Sequence, residues 1–383
     1  MNVYLDNAAT AKVAKVAFDA MLPYLTNEYG NPSAIYTVGQ DARKAVENSR
    51  NIIAKAIGAL PEEIYFTSGG TESVNWAIKS TAEMLQTKGK HIITSAIEHP
   101  AVMESLKYLS EKHSYDITYL KVNELGQISL GELRAAIRSD TILITIMTAN
   151  NEIGTIMPVY EIGEIAKEKD VLFHTDAVQA VGHISVDVTK MNTSLLSFSG
   201  HKLGGVKGIG VLYIKKGINL PPFMHGGGQE RKKRSGTENV PGIVSIGAVL
   251  DDVIPRLPLN EVIRLRDKLI KGVLQIPKSR LTGDSVNRLP GIASFVFEGV
   301  EGESILLMLN QNGISASSGS ACTSGSLDPS HVLLALGLSH ETAHGSLRLS
   351  LSENTTDEEI DYVLTKLPDI IAKLRAMSPL WDD

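Results

Sequence analysis

Seven short apolar runs between residues 64 and 214 alternate with longer amphipathic stretches, and this alternation constrains the fold more than any other feature. Most of the runs are apolar at every position, which is typical of strands buried on both faces of a parallel sheet. The stretches between them have the length and polarity of helical crossovers. The predicted strands span residues 64–67, 91–95, 117–121, 141–146, 171–174, 195–197 and 210–214.

The alternation stops after Pro241, and the pattern there predicts a second, smaller domain. Two helical stretches lead into a strand, a helix, a loop rich in serine and glycine, and a final helix whose acidic start suits the helix dipole. These elements are expected at residues 242–254, 260–275, 292–297, 302–312, 315–325 and 356–376. We therefore predict an α/β fold, with a mostly parallel seven-stranded sheet and helices on both faces in residues 13–250. Residues 1–12 and 251–383 are predicted to form a smaller α+β domain.

Composition narrows the classes of function. The net charge of −6, from 37 basic and 43 acidic residues, gives no global electrostatic reason to bind nucleic acid or an anionic membrane. The longest apolar runs are strand-sized and the N-terminal residues do not resemble a secretory signal, so we expect a cytoplasmic protein. The single cysteine, Cys322, excludes an intrachain disulfide framework and a cysteine-based zinc site, and no H-E-x-x-H spacing predicts a metal. That thiol is either a buried apolar side chain that fills space in the core or a reactive group.

Polar groups follow the ends of five predicted strands. Ligands of open α/β sheets bind beyond the carboxyl ends of the strands, so these groups are expected to share one site. The first strand leads through two glycines, Gly69 and Gly70, to Thr71 at the start of a helix, where backbone N–H groups and the helix dipole suit a phosphate. Neither a P-loop nor a dinucleotide-binding glycine motif accompanies this turn.

The other strand ends deliver His99, Asn150, Asp176 with Gln179, and Lys202 between glycines. A lysine that is partly desolvated at a sheet edge suits a Schiff base. Pyridoxal phosphate needs such a lysine, a carboxylate for its ring nitrogen and a helix start for its phosphate. One cofactor would therefore use all of these groups together.

The chain resembles the cysteine desulfurases of the NifS/IscS type, in the class V aminotransferase group of fold-type I pyridoxal-phosphate enzymes. The resemblance runs essentially from end to end. Its motifs are TSGGTES at 67–73, EHP at 98–100, ANNEIGT at 149–155, HTDAVQ at 174–179, SGHK at 199–202, RSGTEN at 234–239 and SSGSACTS at 317–324.

The resemblance implies a role for each matching residue. Lys202 would carry pyridoxal phosphate as an aldimine, and Cys322 would be the nucleophile. His99 would stack on the cofactor ring and act in catalysis by moving protons. Arg348 would bind the substrate carboxylate, with Asn150 beside it. The remaining cofactor contacts would come from Gly70, Thr71, Asn150, Asp176, Gln179, Ser199 and His201 and, across a homodimer, from Thr237 of the partner subunit.

The implied reaction converts L-cysteine to L-alanine and leaves a persulfide on Cys322. Serine and glycine residues on both sides of Cys322 favour the nucleophile over the filler. The implied sulfur acceptor is an iron–sulfur scaffold protein of the NifU/IscU type or another sulfur-transfer partner. Two alternatives stay open: a selenocysteine lyase on the same scaffold, and a non-catalytic sulfur-relay or scaffold-binding protein.

Overall fold

The fold is described by a computed structural model that covers residues 1–319, 328–379 and 381. Its strands form one large sheet and two smaller ones. The strands are β1 (Val3–Tyr4), β2 (Ile64–Thr67), β3 (His91–Ser95), β4 (Asp116–Leu120), β5 (Thr141–Thr145), β6 (Leu172–Asp176), β7 (Leu195–Ser199), β8 (Gly210–Ile214), β9 (Ser279–Leu281), β10 (Ile292–Phe297), β11 (Ile314–Ser315) and β12 (Ser346–Ser350).

The helices connect and cover these strands. They are α1 (Lys15–Thr26), α2 (Thr37–Ile57), α3 (Gly70–Leu85), α4 (Pro100–His113), α5 (Leu130–Ala136), α6 (Val159–Glu168), α7 (Gln229–Lys232), α8 (Val240–Val253), α9 (Asn260–Val273), α10 (Gly302–Gln311), α11 (His331–Ala335), α12 (His340–His344) and α13 (Asp357–Ala376). No helix in the described ranges combines the length and the apolar character needed to cross a membrane.

The large sheet has the strand order β2-β8-β7-β6-β5-β3-β4. Strand β8 is antiparallel to both β2 and β7, whereas the other pairs are parallel. Only residues 200–209 separate β7 from β8, which is shorter than the connection that two parallel strands need. The prediction of a mostly parallel seven-stranded α/β sheet is confirmed.

Helices lie on both faces of this sheet, because successive strand residues point to opposite sides. Ile92 and Leu143 belong to the core cluster formed with α3 and α4. The adjacent residues Ile93 and Ile144 belong to the cluster formed with α2, α6 and α8. The strands are therefore buried on both sides, as their uninterrupted apolar sequence predicts.

The C-terminal part contains an antiparallel sheet of order β12-β10-β9, against which α9 and α10 pack. The N-terminal strand β1 pairs with β11, and Asp6 forms a bridge with Ser350 at the end of β12. These pairings bring the first residues of the chain to the C-terminal elements. The exact division into residues 13–250 and the remainder stays a prediction.

Candidate active site

The N-terminus of α3 follows a turn that is suited to bind an anion. Its N-cap is Gly69, and no side chain caps the helix within the described residues. The N–H groups of the first helical turn have no acceptor inside the helix and point along its positive end. Gly70 is closely packed, because a Cβ atom there would lie 2.8 Å from Cγ2 of Val178. The turn therefore presents backbone donors where a larger residue would not fit.

Asp176 lies at the end of β6, and His99 lies in the turn between β3 and α4. Asp176 is the last residue of β6, and its Oδ1 accepts a hydrogen bond from the Val178 N–H at 2.9 Å. Burial raises the pKa of the Asp176 carboxyl, while the nearby His99 and Lys202 oppose that rise. A cationic partner within the site would therefore stabilise the carboxylate.

The His99 ring is oriented by the helix that it caps. Its Nδ1 accepts a hydrogen bond from the Ala101 N–H at 3.1 Å, so His99 is the N-cap of α4. Burial lowers the pKa of the His99 imidazole. A neutral ring that accepts at Nδ1 carries its proton on Nε2. The ring is thus held neutral and in one tautomer at the edge of the site.

Lys202 follows β7 in a short helical turn. Its Nζ donates hydrogen bonds of 2.7 Å to the carbonyl oxygens of both Ala8 and Ala9. The N-terminal segment thus reaches the lysine directly. Nearby, Gln179 Nε2 also donates to the Ala8 carbonyl at 3.0 Å, and His201 Nδ1 lies 3.2 Å from the Thr10 hydroxyl.

Arg348 supplies a second buried cation from β12. Its guanidinium donates to Oδ1 of Asp6 and to the Asn151 carbonyl, both at 2.9 Å. Its Nε atom is buried and has no hydrogen-bond partner among the described residues. A buried N–H without an acceptor is costly, and Arg348 also lines the cavity, so its guanidinium is suited to a carboxylate ligand.

These groups surround one cavity of about 410 Å³. Its wall combines two cations, Lys202 and Arg348, with the carboxyl of Asp176 and the ring of His99. The α3 turn opens into it and also into an adjoining cavity of about 430 Å³. The arrangement provides separate positions for a phosphate, a ring with a basic nitrogen and a carboxylate.

The chain is similar to known proteins along most of its length. Residues 3–363 match the family Aminotransferase class-V. The chain belongs to this family. Among its relatives, a protein named cysteine desulfurase IscS from Methanosarcina thermophila is 55% identical over 99% of this chain and 94% of its own length.

Solved structures agree with this assignment. A structure described as a NifS-like protein superposes with a TM-score of 0.92 at 38% identity, covering 98% of this chain and 100% of that one. A structure described as SspA in complex with cysteine has a TM-score of 0.83 at 37% identity, covering 91% and 99%. The chain is a member of the NifS/IscS type of cysteine desulfurases, and the fold-type I prediction is confirmed.

Enzymes of this family depend on pyridoxal phosphate, and the residues of this cavity fit that cofactor. The uncapped start of α3 suits its phosphate, and Asp176 suits its protonated ring nitrogen. Lys202 is the amine within the same cavity. The prediction of this cofactor is confirmed, whereas the role of each residue toward it stays a prediction.

Most of the predicted site residues line the cavity together. They are Gly70, Thr71, His99, Asp176, Gln179, Ser199, His201, Lys202 and Arg348. Thr237 does not, because it lies exposed in the loop between α7 and α8. Cys322 lies outside the described residues.

Asn150 is also placed away from the cavity wall. Its Nδ2 donates to the Ile97 carbonyl at 2.9 Å, and its Oδ1 accepts from the N–H groups of Glu152 and Ile153. The side chain is fully buried in these contacts. The neighbouring Asn151 lines the cavity instead, and its carbonyl accepts from Arg348.

Sequence reasoning assigned no role to several residues of the wall. Asp6, Ala8 and Ala9 come from the N-terminal segment, and Ser317 comes from the stretch after β11. The contact of Asp6 with Arg348 spans 342 positions of the chain. Such a contact depends on how the chain ends meet, which no local pattern indicates.

Proposed function

We propose that this chain converts L-cysteine to L-alanine and takes up the sulfur as a persulfide on Cys322. The observation that carries the proposal is the cavity that joins Lys202, Asp176 and Arg348 in one space. An amine, a carboxylate and a guanidinium there match the cofactor aldehyde, its ring nitrogen and the carboxylate of an amino acid. Pyridoxal phosphate, when bound, supplies a ring that withdraws electrons from the substrate carbon atoms.

Side chains of the cavity bind the cofactor and the substrate and transfer protons. Lys202 Nζ holds the cofactor and moves the proton of the substrate Cα. The Asp176 carboxylate keeps a proton on the ring nitrogen. Arg348 binds the substrate carboxylate, while Asp6 holds the guanidinium through its Nη2 atom at 2.9 Å. The His99 ring lines the cavity and would shield one face of the cofactor from water.

The sulfur step balances without an external oxidant or reductant. The Cys322 thiolate attacks the substrate sulfur, a sulfur–sulfur bond forms and the substrate Cβ–S bond breaks. The electron pair of that bond stays on the carbon, which gains a proton and becomes the alanine methyl group. Cys322 is the only cysteine in the sequence, so no second thiol of the same chain resolves the persulfide. The sulfur is therefore kept for a partner, for which we propose an iron–sulfur scaffold protein of the NifU/IscU type.

We also propose that the enzyme works as a cytoplasmic homodimer. Thr237 lies exposed and away from the cavity of its own chain, which supports a role in the partner's site. Large apolar side chains are exposed around α1 and the start of α2, including Phe18 at 51%, Leu25 at 57% and Ile35 at 91%. Clustered exposed apolar surface of this kind is typical of an interface. Light scattering on the purified protein tests the dimer directly.

One experiment tests the activity and separates its parts. The purified holoenzyme is incubated with L-cysteine, and alanine and protein-bound persulfide are measured together. The wild type is expected to form both in equal amounts in a single turnover. Lys202→Ala is expected to form neither, and Cys322→Ser is expected to form no persulfide. Release of sulfide from L-cysteine by Cys322→Ser at the wild-type rate would contradict the proposal, and the same assay with L-selenocysteine tests the lyase alternative.

A further inference from the structure

A fully buried carboxyl lies directly before His99 in the sequence. Glu98 is 1% exposed, and no salt bridge to it occurs within the described residues. Its Oε1 accepts a hydrogen bond of 2.6 Å from the Ser95 hydroxyl. Both carboxyl oxygens lie 3.1 Å from the Met147 N–H. A carboxyl is seldom buried without a cation unless its position serves a purpose.

These contacts join the ends of two neighbouring strands. Ser95 is the last residue of β3, and Met147 follows β5, which pairs with β3 in the sheet. Glu98 therefore connects the turn after β3 to the turn after β5. The second turn contains Asn150 and Asn151. Glu98 therefore connects the two turns that bring His99 and Asn151 to the cavity wall.

Two further hydrogen bonds hold the same short turn. Asn150 Nδ2 donates to the Ile97 carbonyl at 2.9 Å, and His331 Nε2 donates to the Glu98 carbonyl at 3.1 Å. The peptide groups on both sides of Glu98 are thus anchored, one from the β5 turn and one from α11. The next residue in the chain is His99, whose ring lines the cavity.

We propose that Glu98 is a positioning residue that acts through His99, with Asn150 as its auxiliary anchor. The carboxyl itself does not line the cavity, so any influence on the reaction must pass through the turn that it holds. A displacement of about 1 Å of a group that orients a substrate or cofactor lowers rates substantially. The proposal rests on the role proposed above for His99.

The protonation state of the Glu98 carboxyl is consistent with a positioning role. Burial and the nearby Asp176 raise the pKa of Glu98 to about 8, against the hydrogen bonds from Ser95 and Met147. The group is therefore mostly protonated at neutral pH. Glutamine resembles a protonated glutamic acid in shape and also offers both a donor and an acceptor. Glu98→Gln is thus expected to keep the turn, whereas Glu98→Ala removes every side-chain contact.

A double-mutant cycle with His99 tests the proposal. We expect Glu98→Ala to lower kcat about tenfold and Glu98→Gln to lower it less than about twofold. In a His99→Ala background, Glu98→Ala is expected to have almost no further effect. An additive effect in that background would overturn the proposal, because Glu98 would then act independently of His99. Full activity of His99→Ala alone would instead contradict the role proposed for His99.

A second readout does not depend on turnover. Histidines labelled with ¹³C at Cε1 give one resonance per ring, and the His99 signal is the one missing from His99→Ala. This signal is expected to be unchanged in Glu98→Gln and shifted or broadened in Glu98→Ala. Glu104→Ala, an exposed change on α4, is the matched control. If Glu98→Ala does not fold, Ser95→Ala removes one partner of the carboxyl and is expected to shift the same signal. An unchanged His99 signal in folded Glu98→Ala, or in Ser95→Ala where Glu98→Ala does not fold, would overturn the proposal.

Discussion

Glu152 is expected to make the protein less stable as the pH rises from 4.5 to about 7. It is 4% exposed, and its carboxyl accepts a hydrogen bond from the Ser330 hydroxyl, which also caps α11. Burial raises the pKa of Glu152 to about 7, although the hydrogen bond from Ser330 and the charge of Arg348 lower it. The free-energy cost of ionising this buried carboxyl is therefore larger than the stabilisation that Ser330 and Arg348 give to its charged form.

The sign of the effect follows from the two pKa values. In the unfolded chain Glu152 ionises near its ordinary pKa of 4.5, whereas in the folded protein it holds its proton until about pH 7. Its stabilising contribution is complete below pH 4.5 and is lost as the pH rises to 7. Each pH unit in this window costs about 1.4 kcal/mol, so the full loss is about 3 kcal/mol.

Glu152→Gln removes this titration but keeps an oxygen that accepts from Ser330. The assay is urea unfolding of the cofactor-saturated enzyme at pH 5, 6, 7 and 8, followed by circular dichroism. The free energy of unfolding of the variant, relative to the wild type, is expected to rise by about 3 kcal/mol from pH 5 to pH 8. Glu164→Gln, the same change at an exposed position of α6, is the control and is expected to follow the wild type. Parallel curves for Glu152→Gln and wild type would refute the reasoning.

Three further predictions concern the site and the sheet. Gly70→Ala is expected to weaken cofactor binding about tenfold in an absorbance titration, because the new Cβ would lie 2.8 Å from Cγ2 of Val178. Arg348→Lys is expected to raise KM for L-cysteine roughly tenfold with a smaller change in kcat, because lysine lacks the planar fork. His174 is fully buried between the hydroxyls of Thr145 and Ser197, and burial lowers its pKa to about 3. As the pH falls from 6.5 toward 3, its stabilising contribution is lost, so His174→Gln is expected to show a weaker acid dependence of unfolding by urea than wild type.

The large sheet was predictable because its strands are buried on both faces. A strand covered on both sides is apolar at every position, and that pattern is local enough to be found in the sequence. The predicted limits of β2, β3 and β8 match the structure, and those of the other strands differ by one or two residues. Strands β6 and β7 extend to Asp176 and Ser199, so both residues belong to the strand ends themselves.

The helices α1 and α2 and the strand β12 were not predicted. The α2 sequence is amphipathic, but α1 carries large apolar side chains on its exposed side, which hides the periodicity. Strand β12 is five residues long, with two leucines that alternate with two serines and an arginine. Its burial depends on pairing with β10 and on cover by α10, and neither is visible in a short polar segment.

The choice between Asn150 and Asn151 shows a finer limit of sequence reasoning. Adjacent residues in a turn point in different directions, and the sequence does not say which one faces the ligand. Here the backbone N–H groups of Glu152 and Ile153 require an acceptor, and Asn150 supplies it. An asparagine that bonds to the backbone two or three residues later stabilises such a turn. The side chain of Asn150 is therefore used to stabilise the turn, and Asn151 lines the cavity.

The two cations of the cavity depend on opposite ends of the chain. Lys202 follows the large sheet, and Arg348 lies on the small one, yet the segment from Asp6 to Ala9 contacts both of them. Asn7 Nδ2 also donates to the Ser350 carbonyl at 2.8 Å, which holds this segment beside β12. Because the carboxylate of Asp6 is 23% exposed and pairs with an almost fully buried guanidinium, it offsets part of the cost of burying Arg348. The distance between the amine and the guanidinium is thus set by one short segment at the N-terminus, and the substrate site is complete only when both ends of the chain have folded together.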